Sequence, residues 1–340
     1  MRRGLTIINL LVAIGSIALV LAVAVPLWLQ FREAQRRAVC ALRLKNLATS
    51  LHQYYDNFQH LPPSASYAGD VHRADMRVSL KSVIPGQGGK GVARTPYSFH
   101  VLLLPYQGNQ GLNFTHWDIQ RDEAFDGPNL LNAAKRVSFL VCPSYGGSGV
   151  SNAPDYVNSA AGKPAITNYK ALGATTLACL QDSASVTRDD LNGGVLHPYA
   201  CYKFESLSAI TATAVLVETK EEKYAAWWDG ATASIPGFHP GVGNVADDRA
   251  PTPPLGTLAL NLDSHGGQQS FILAGQFGGR EDMQWGASSD HPGLVLHAYL
   301  GTEVRALTKD VDPVVYSANI SRRRSDDGEI QRCYGKRPKE

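Results

Sequence analysis

MRRGLTIINLLVAIGSIALVLAVAVPLWLQF, residues 1–31, decides the architecture of this 340-residue chain. Two arginines precede an uncharged stretch from Gly4 to Phe31, 28 residues long. As a helix that stretch spans about 42 Å at ~1.5 Å per residue, and a bilayer core needs only about 20 apolar residues. A cleaved secretory signal has a shorter apolar core of about 7–15 residues with a small-residue cleavage site behind it. Here the run is longer, and Pro26-Leu-Trp-Leu-Gln-Phe31 stands where an A-x-A pattern would be. Two readings of a retained helix follow: a plain membrane anchor, or an anchor behind a short leader cut on its cytoplasmic side. Arg2 and Arg3 favour a cytoplasmic N-terminus, while Arg32, Arg36 and Arg37 crowd the other end. The positive-inside rule therefore does not settle orientation.

Beyond Phe31 the helical pattern continues. Leu44, Leu47, Leu51, Tyr54 and Phe58 recur at intervals of three and four, giving one apolar stripe, with Arg36, Arg37, Arg43 and Lys45 on the polar faces. The membrane helix is thus expected to run on as a soluble amphipathic helix, bent at Pro26 and ended by Leu61-Pro62-Pro63. Residues 64–96 read as a Gly/Ser/Pro-rich connection. Strand-like runs follow at Tyr97–Leu104, Val137–Cys142, Ala214–Glu218, Leu258–Leu262 and Gly293–Tyr299, separated by turn-rich loops such as Ser144–Pro154 and Asp247–Gly256. Asn129–Arg136 reads as a short helix, and the tail from Ser321, basic then acidic then basic, as weakly ordered. With 32 glycines and 19 prolines the domain is loop-rich rather than a helical bundle, and its net charge of +2 gives no reason to expect nucleic acid as a partner. The apolar stripe needs a surface to cover, and the strands supply a sheet, so the class is α+β.

Specific residues carry two resemblances. Arg2-Arg3-Gly4 before Leu5-Thr6-Ile7-Ile8, with Pro26 as the 22nd residue counted from Leu5, resembles a type IV prepilin leader. That likeness implies processing between Gly4 and Leu5, a cytoplasmic N-terminus and a pilin-like fold. The fifth residue after the cut is normally Glu in such proteins and serves subunit assembly; here it is Asn9, an amide without charge. Further along, an ordered series resembles a bacterial family of membrane-anchored proteins with a pilin-like leader and a domain of unknown function (number 1559). Its pieces are Arg36–Cys40, Leu47–Pro63, Ser98–Tyr106, Phe139–Ser144, Thr167–Tyr169, Ala214–Glu218 and Asp290–Gly293. The family often carries an H-X9-DG signature. Here His291-Pro292-Gly293 opens it, but only eight residues lead to Leu300-Gly301, so the spacing is one short and the Asp is replaced by Leu300. The signature is degenerate.

Five cysteines (Cys40, Cys142, Cys179, Cys201, Cys333) show no C-x-x-C spacing, which argues against a zinc ribbon or a thioredoxin motif. The family likeness places Cys40 and Cys142 in matched segments and so implies a disulfide between them; Cys179–Cys201 is the second pair and Cys333 is left over. Of ten histidines, the densest cluster is Asp290, His291 and His297, with Asp263 and His265 as contributors. On a strand His291 and His297 would lie about 20 Å apart at ~3.3 Å per residue, too far to share an ion unless the chain turns at Pro292-Gly293. With no H-E-x-x-H motif they read as turn and surface histidines, and no metal or cofactor is expected. Asp310 and Asp312 are oxygen ligands of the kind calcium takes, too few to define a site. Gly86-Gln-Gly88-Gly-Lys-Gly91 matches G-x-G-x-x-G in form, but Pro85 and Pro96 flank it, so it reads as a loop. There is no G-x-S-x-G, and Gly146-Gly-Ser148-Gly149 misses the spacing. Trp227-Trp228-Asp229, with Trp117 and Trp285, is either core or the wall of a carbohydrate or peptide groove.

The expected organisation is a leader at 1–4, a transmembrane helix at 5–30, an amphipathic helix at 31–61, an extracytoplasmic α+β domain at 62–320 and a charged tail at 321–340. The long helix packs on a mainly antiparallel sheet with loop-rich insertions. The expected role is non-enzymatic: a single-pass protein of the bacterial inner membrane, held by residues 5–30, with its C-terminal domain in the periplasm. Its partners would be a prepilin peptidase and other pilin-like subunits. The competing expectation is an anchored module that binds a carbohydrate, a peptide or calcium.

Overall fold

In the computed structural model the described residues are 7–66, 97–108, 132, 134–152, 163–175, 180, 193–198, 201–207, 209–237, 286–308 and 311–322. The cut at Gly4–Leu5, the G-x-G-x-x-G loop, the 258–262 run, residues 129–131 and 133, and Trp117, Trp285, Asp263, His265 and Asp310 lie outside them.

Helix α1 runs unbroken from Ile7 to Phe58, 52 residues with Pro26 inside it. At ~1.5 Å per residue it is about 78 Å long. Its two halves face different surroundings. Ile7 to Phe31 is apolar and exposed along its length, and among the described residues α1 is the helix long and apolar enough to cross a membrane. From Cys40 onward one stripe is buried: Cys40, Leu44, Leu47, Ala48, Leu51, Tyr54 and Tyr55. Phe58, expected to end that stripe, is 37% exposed, and Tyr55 takes its place by stacking on Phe204 with ring centroids 3.9 Å apart. Gln59 stops the helix with φ at 58°, its N–H donating to Tyr55 O at 2.7 Å, which satisfies one of the last carbonyls.

A two-stranded ribbon pairs β1 (Ala65–Ser66) with β2 (Tyr97–Ser98). The main sheet holds β3 (Tyr169–Ala174), β4 (Ala214–Glu218), β5 (Ser234–Pro236), β6 (Val295–Tyr299) and β7 (Val304–Leu307) in the order β5-β3-β4-β6-β7. β3 pairs with β5 in parallel, and the other neighbours are antiparallel. This is α+β with a mainly antiparallel sheet. Every residue of β3, β4 and β6 is buried, so both faces of the sheet are covered and the strands are mostly apolar, broken by Lys170, Glu218 and His297. Helix α1 packs on β6, β4 and β7, and helix α3 (Pro313–Ile320) packs on β3 and β4. Pro236 closes an edge strand, where a missing N–H breaks no interior ladder.

Ala214–Glu218 is a strand at the expected bounds, and the expected Gly293–Tyr299 strand begins at Val295 because Gly293, at φ 72°, makes a turn. Two expected strands are helical. Tyr97–Leu104 is strand for two residues and then α2 (Phe99–Leu103), followed by a 3-10 turn at Leu104–Tyr106. All five α2 residues are buried, and a segment buried all round has no period from which to tell helix from strand. Within Val137–Cys142, Ser138–Leu140 forms a 3-10 turn for the same reason. The tail expected from residue 321 begins with two docked residues. Ser321 and Arg322 are buried, Arg322 N donates to Gly193 O at 2.8 Å, and its guanidinium lies 4.2 Å over the Tyr202 ring.

Candidate functional site

Where α1 leaves its exposed half and enters the domain, three chain-distant segments meet. Glu33 and Cys40 are seven residues apart on α1, two helical turns, so both side chains project from one face. Cys40 is disulfide-bonded to Cys142, with 5.6 Å between Cα atoms and a sequence separation of 102. In the chain-entropy account, closing a loop of that size stabilises the fold by roughly 4–5 kcal/mol. Cys201 is also buried and disulfide-bonded; Cys179 and Cys333 lie outside the described residues.

His291 sits at the centre of this meeting point, 2% exposed. Its Nδ1 lies 2.5 Å from Glu33 Oε1. Its Nε2 faces Glu218 Oε1 at 3.5 Å and Cys142 Sγ at 3.6 Å. Burial opposes a charge on the imidazole, but the contacts with Glu218 and Glu33 outweigh it and hold His291 above its ordinary pKa. Glu218, the last residue of β4, is buried; its Oε2 accepts from Leu296 N of β6 at 3.1 Å, while Oε1 has no hydrogen bond and points at the imidazole. Ser144 Oγ donates to the Glu33 carboxylate at 3.1 Å, completing a tie between helix, loop and sheet.

The loops are held by neighbours of these residues. Asn168 Oδ1 accepts from Cys142 N at 2.9 Å, and its Nδ2 donates to Thr219 O at 3.0 Å, so one amide positions both the cysteine and the end of β4. Asp290 Oδ2 accepts from Gly146 N at 3.0 Å, and Ser289 Oγ from His291 N at 3.2 Å. His100 Nε2 donates to Tyr169 O at 2.8 Å beside the same region. The segments Arg36–Cys40, Phe139–Ser144, Thr167–Tyr169, Ala214–Glu218 and Asp290–Gly293, scattered over 250 residues of sequence, each contribute a residue to this one place.

The histidine expectation is corrected in two respects. His291 and His297 are not surface residues; both are buried. Nor do they cluster: His297 Nδ1 faces Val295 O at 3.1 Å and its Nε2 takes the Tyr316 hydroxyl at 3.0 Å, away from His291. Without a nearby acid, burial pushes His297 down to about 4. Asp290 faces Gly146 and Lys220 rather than His291. The two ends of the degenerate signature are apart as well. Pro292 and Gly293 make the turn into β6, and Leu300-Gly301 make the turn out, about 16 Å away for five strand residues. Leu300 is fully buried and its carbonyl accepts from His52 Nε2 at 2.6 Å. Gly301 leaves room for Thr211, whose Cα would stand 3.0 Å from an added Cβ.

Trp227 and Trp228 are core, 0% and 1% exposed, so they do not line a groove. Asp312 accepts from Val315 N at 3.1 Å and so caps α3. Glu33 escaped the sequence reading, although a signal exists: it is the first acidic residue of the chain, two positions beyond the uncharged stretch. A small cavity of about 180 Å³ opens beside α1, lined in part by Arg43, Asn46, Gln53, Tyr106 and Gln107.

A family model described as "Protein of unknown function (DUF1559)" matches residues 30–314. The chain belongs to that family. The match covers every residue of the Glu33–His291 node and leaves the leader outside. No curated protein and no solved structure matches the chain.

Proposed function

We propose that this protein is a non-enzymatic, single-pass cell-envelope component of pseudopilin-like build, anchored by residues 5–30 in the inner membrane, with its N-terminus in the cytoplasm and its α+β domain in the periplasm. One observation carries the reading. α1 is a single rod whose first half exposes only apolar and uncharged residues, while its second half is buried in the domain core. An exposed apolar helix surface of that length demands lipid or other apolar helices around it. The disulfide and the Glu33–His291–Glu218 contacts lock the rod to the sheet just beyond the apolar half, as a scaffold that transmits position from membrane to domain requires. The disulfide, His291 and Glu218 are buried, Glu33 is half-buried, and all are engaged with one another, which supports a structural rather than a turnover role. Asn9 offers an amide where assembling subunits carry an acid, so the role is a fixed envelope scaffold working with a prepilin peptidase and pilin-like subunits, not a filament former.

Intact mass and N-terminal sequencing of the membrane-extracted protein test the reading. A chain beginning at Leu5 is the expected result, and Gly4→Leu is expected to leave it uncut. An intact Met1 on the mature protein removes the processed-pilin reading, and recovery in the soluble fraction removes the anchor. The cavity beside Arg43, Asn46 and Gln53 favours a second reading, a module that binds a small polar molecule such as a monosaccharide. Its volume lies below the ~300–1,000 Å³ of drug-sized ligand sites. A thermal-shift screen of the detergent-solubilised chain against glycans, peptides and calcium separates the two.

A further inference from the structure

The Glu33–His291 node holds more donor atoms than a covalent tie needs. One ligand atom from each of Cys40, Cys142, Glu218 and His291 lies within 4.8 Å of every other, and all four residues are buried. With Nδ1–H of His291 on Glu33, Nε2 faces Glu218 Oε1 and Cys142 Sγ, carrying a proton while the ring is charged and a lone pair once that proton leaves. Glu218 Oε1 is buried, has no hydrogen bond and points into that space. Two sulfurs, a carboxylate oxygen and a ring nitrogen converge there, and a metal cation can take the place of the imidazole's Nε2 proton. The Glu33 carboxylate on the far nitrogen is the outer partner that orients a metal-bound imidazole. We propose that Cys40, Cys142, His291 and Glu218 form a redox-gated site for a thiophilic divalent cation of the zinc class, closed while the two cysteines are bonded and open when they are reduced.

The step balances. The Cys40–Cys142 bond breaks on taking two electrons and two protons from a dithiol reductant, which is itself oxidised to a disulfide. The entering M²⁺ displaces the two thiol protons and the Nε2 proton of His291, all released to solvent, and binds both thiolates, Nε2 of the imidazole whose Nδ1–H stays on Glu33, and Glu218 Oε1. Two sulfurs, one nitrogen and one carboxylate oxygen are a donor set that zinc takes tetrahedrally, at roughly 2.3 Å to sulfur and 2.0–2.2 Å to the other two. The sulfurs separate to suit, and the 5.6 Å between the Cα atoms leaves them that freedom. With no open position, the site is structural: it replaces one link between α1 and the sheet with another when the compartment turns reducing.

The test uses the full chain in detergent, oxidised and after reduction by a phosphine under argon, titrated with Co²⁺ and Zn²⁺. The reduced protein is expected to bind one equivalent, with thiolate-to-cobalt charge-transfer and tetrahedral d–d bands that zinc abolishes; the oxidised protein is expected to show neither band. Glu218→Gln and His291→Ala are expected to weaken zinc at least tenfold, and Glu33→Gln, which meets the imidazole only at its far nitrogen, to weaken it while keeping the thiolate bands. Binding by the reduced chain without thiolate bands, or binding that survives in the Cys40→Ser/Cys142→Ser double variant, overturns the proposal. Should reduction alone unfold the chain, zinc is expected to restore the folded circular-dichroism spectrum and raise the melting temperature; failure to do so overturns the proposal equally.

Discussion

Acidification from pH 7 to pH 5 should weaken the domain through two buried histidines with no acid beside them, one of which, His100, also feels the charge of Lys170. His100 and His297 are both fully buried, and burial pushes each down to about 4 against hydrogen bonds that partly favour the charged ring. Their neighbours explain why. His100 donates from Nε2 to Tyr169 O and leaves Nδ1 buried without a partner; His297 donates from Nδ1 to Val295 O and accepts from Tyr316 at Nε2. Adding a proton puts a charge where no acid waits for it. Because the folded pKa is lowered, the unfolded chain binds more protons between about 4 and 6.5, and stability falls as pH falls through that window. At pH 5 the linkage relation gives about 2 kcal/mol for each residue, about 4 kcal/mol together. For a domain of this size that lowers the melting temperature by roughly 6–7 °C. His291 runs the other way: raised by Glu218 and Glu33, its contribution is present below 6.5 and is lost as pH rises through its folded pKa. The two effects are separated by comparing the full chain with His297→Gln in urea titrations at pH 7 and pH 5, in one detergent. The variant is expected to lose about 2 kcal/mol less than the parent across that interval. Parallel loss in both proteins, within about 0.5 kcal/mol, would refute the buried neutral histidine as the cause of acid lability.

The two faces of α1 predict opposite responses: Leu44→Ala, at 0% exposure, should cost about 2.5–5 kcal/mol by urea titration, while Leu42→Ala, at 57% exposure, should stay within about 0.5 kcal/mol. Thr302 holds φ at 68° in the β6–β7 turn, a conformation a β-branched residue resists, so Thr302→Gly should raise the unfolding midpoint by about 0.5–1 kcal/mol; a lower midpoint would show that the side chain contributes more than the strain costs.

The amino-acid sequence by itself determined the long helix, its division into an apolar and an amphipathic half, the α+β class and the strand at Ala214–Glu218. These follow from local rules: uncharged length, a three-to-four repeat and a β-branched run are readable wherever they occur. The pairing of Cys40 with Cys142 rests on family likeness, since no spacing implies it. Tertiary structure alone decided that Tyr97–Leu104 turns from strand into helix, because a segment buried on all sides carries no period. It alone brought Glu33 to His291 across 258 residues and set Glu218 on the other side of the ring. His291 and His297 look like one cluster in sequence, yet the turn at Gly293 starts a strand that carries them to different partners. Periodicity tells each element which face to bury; only the strand order and the seat of α1 on the sheet determine which buried faces meet.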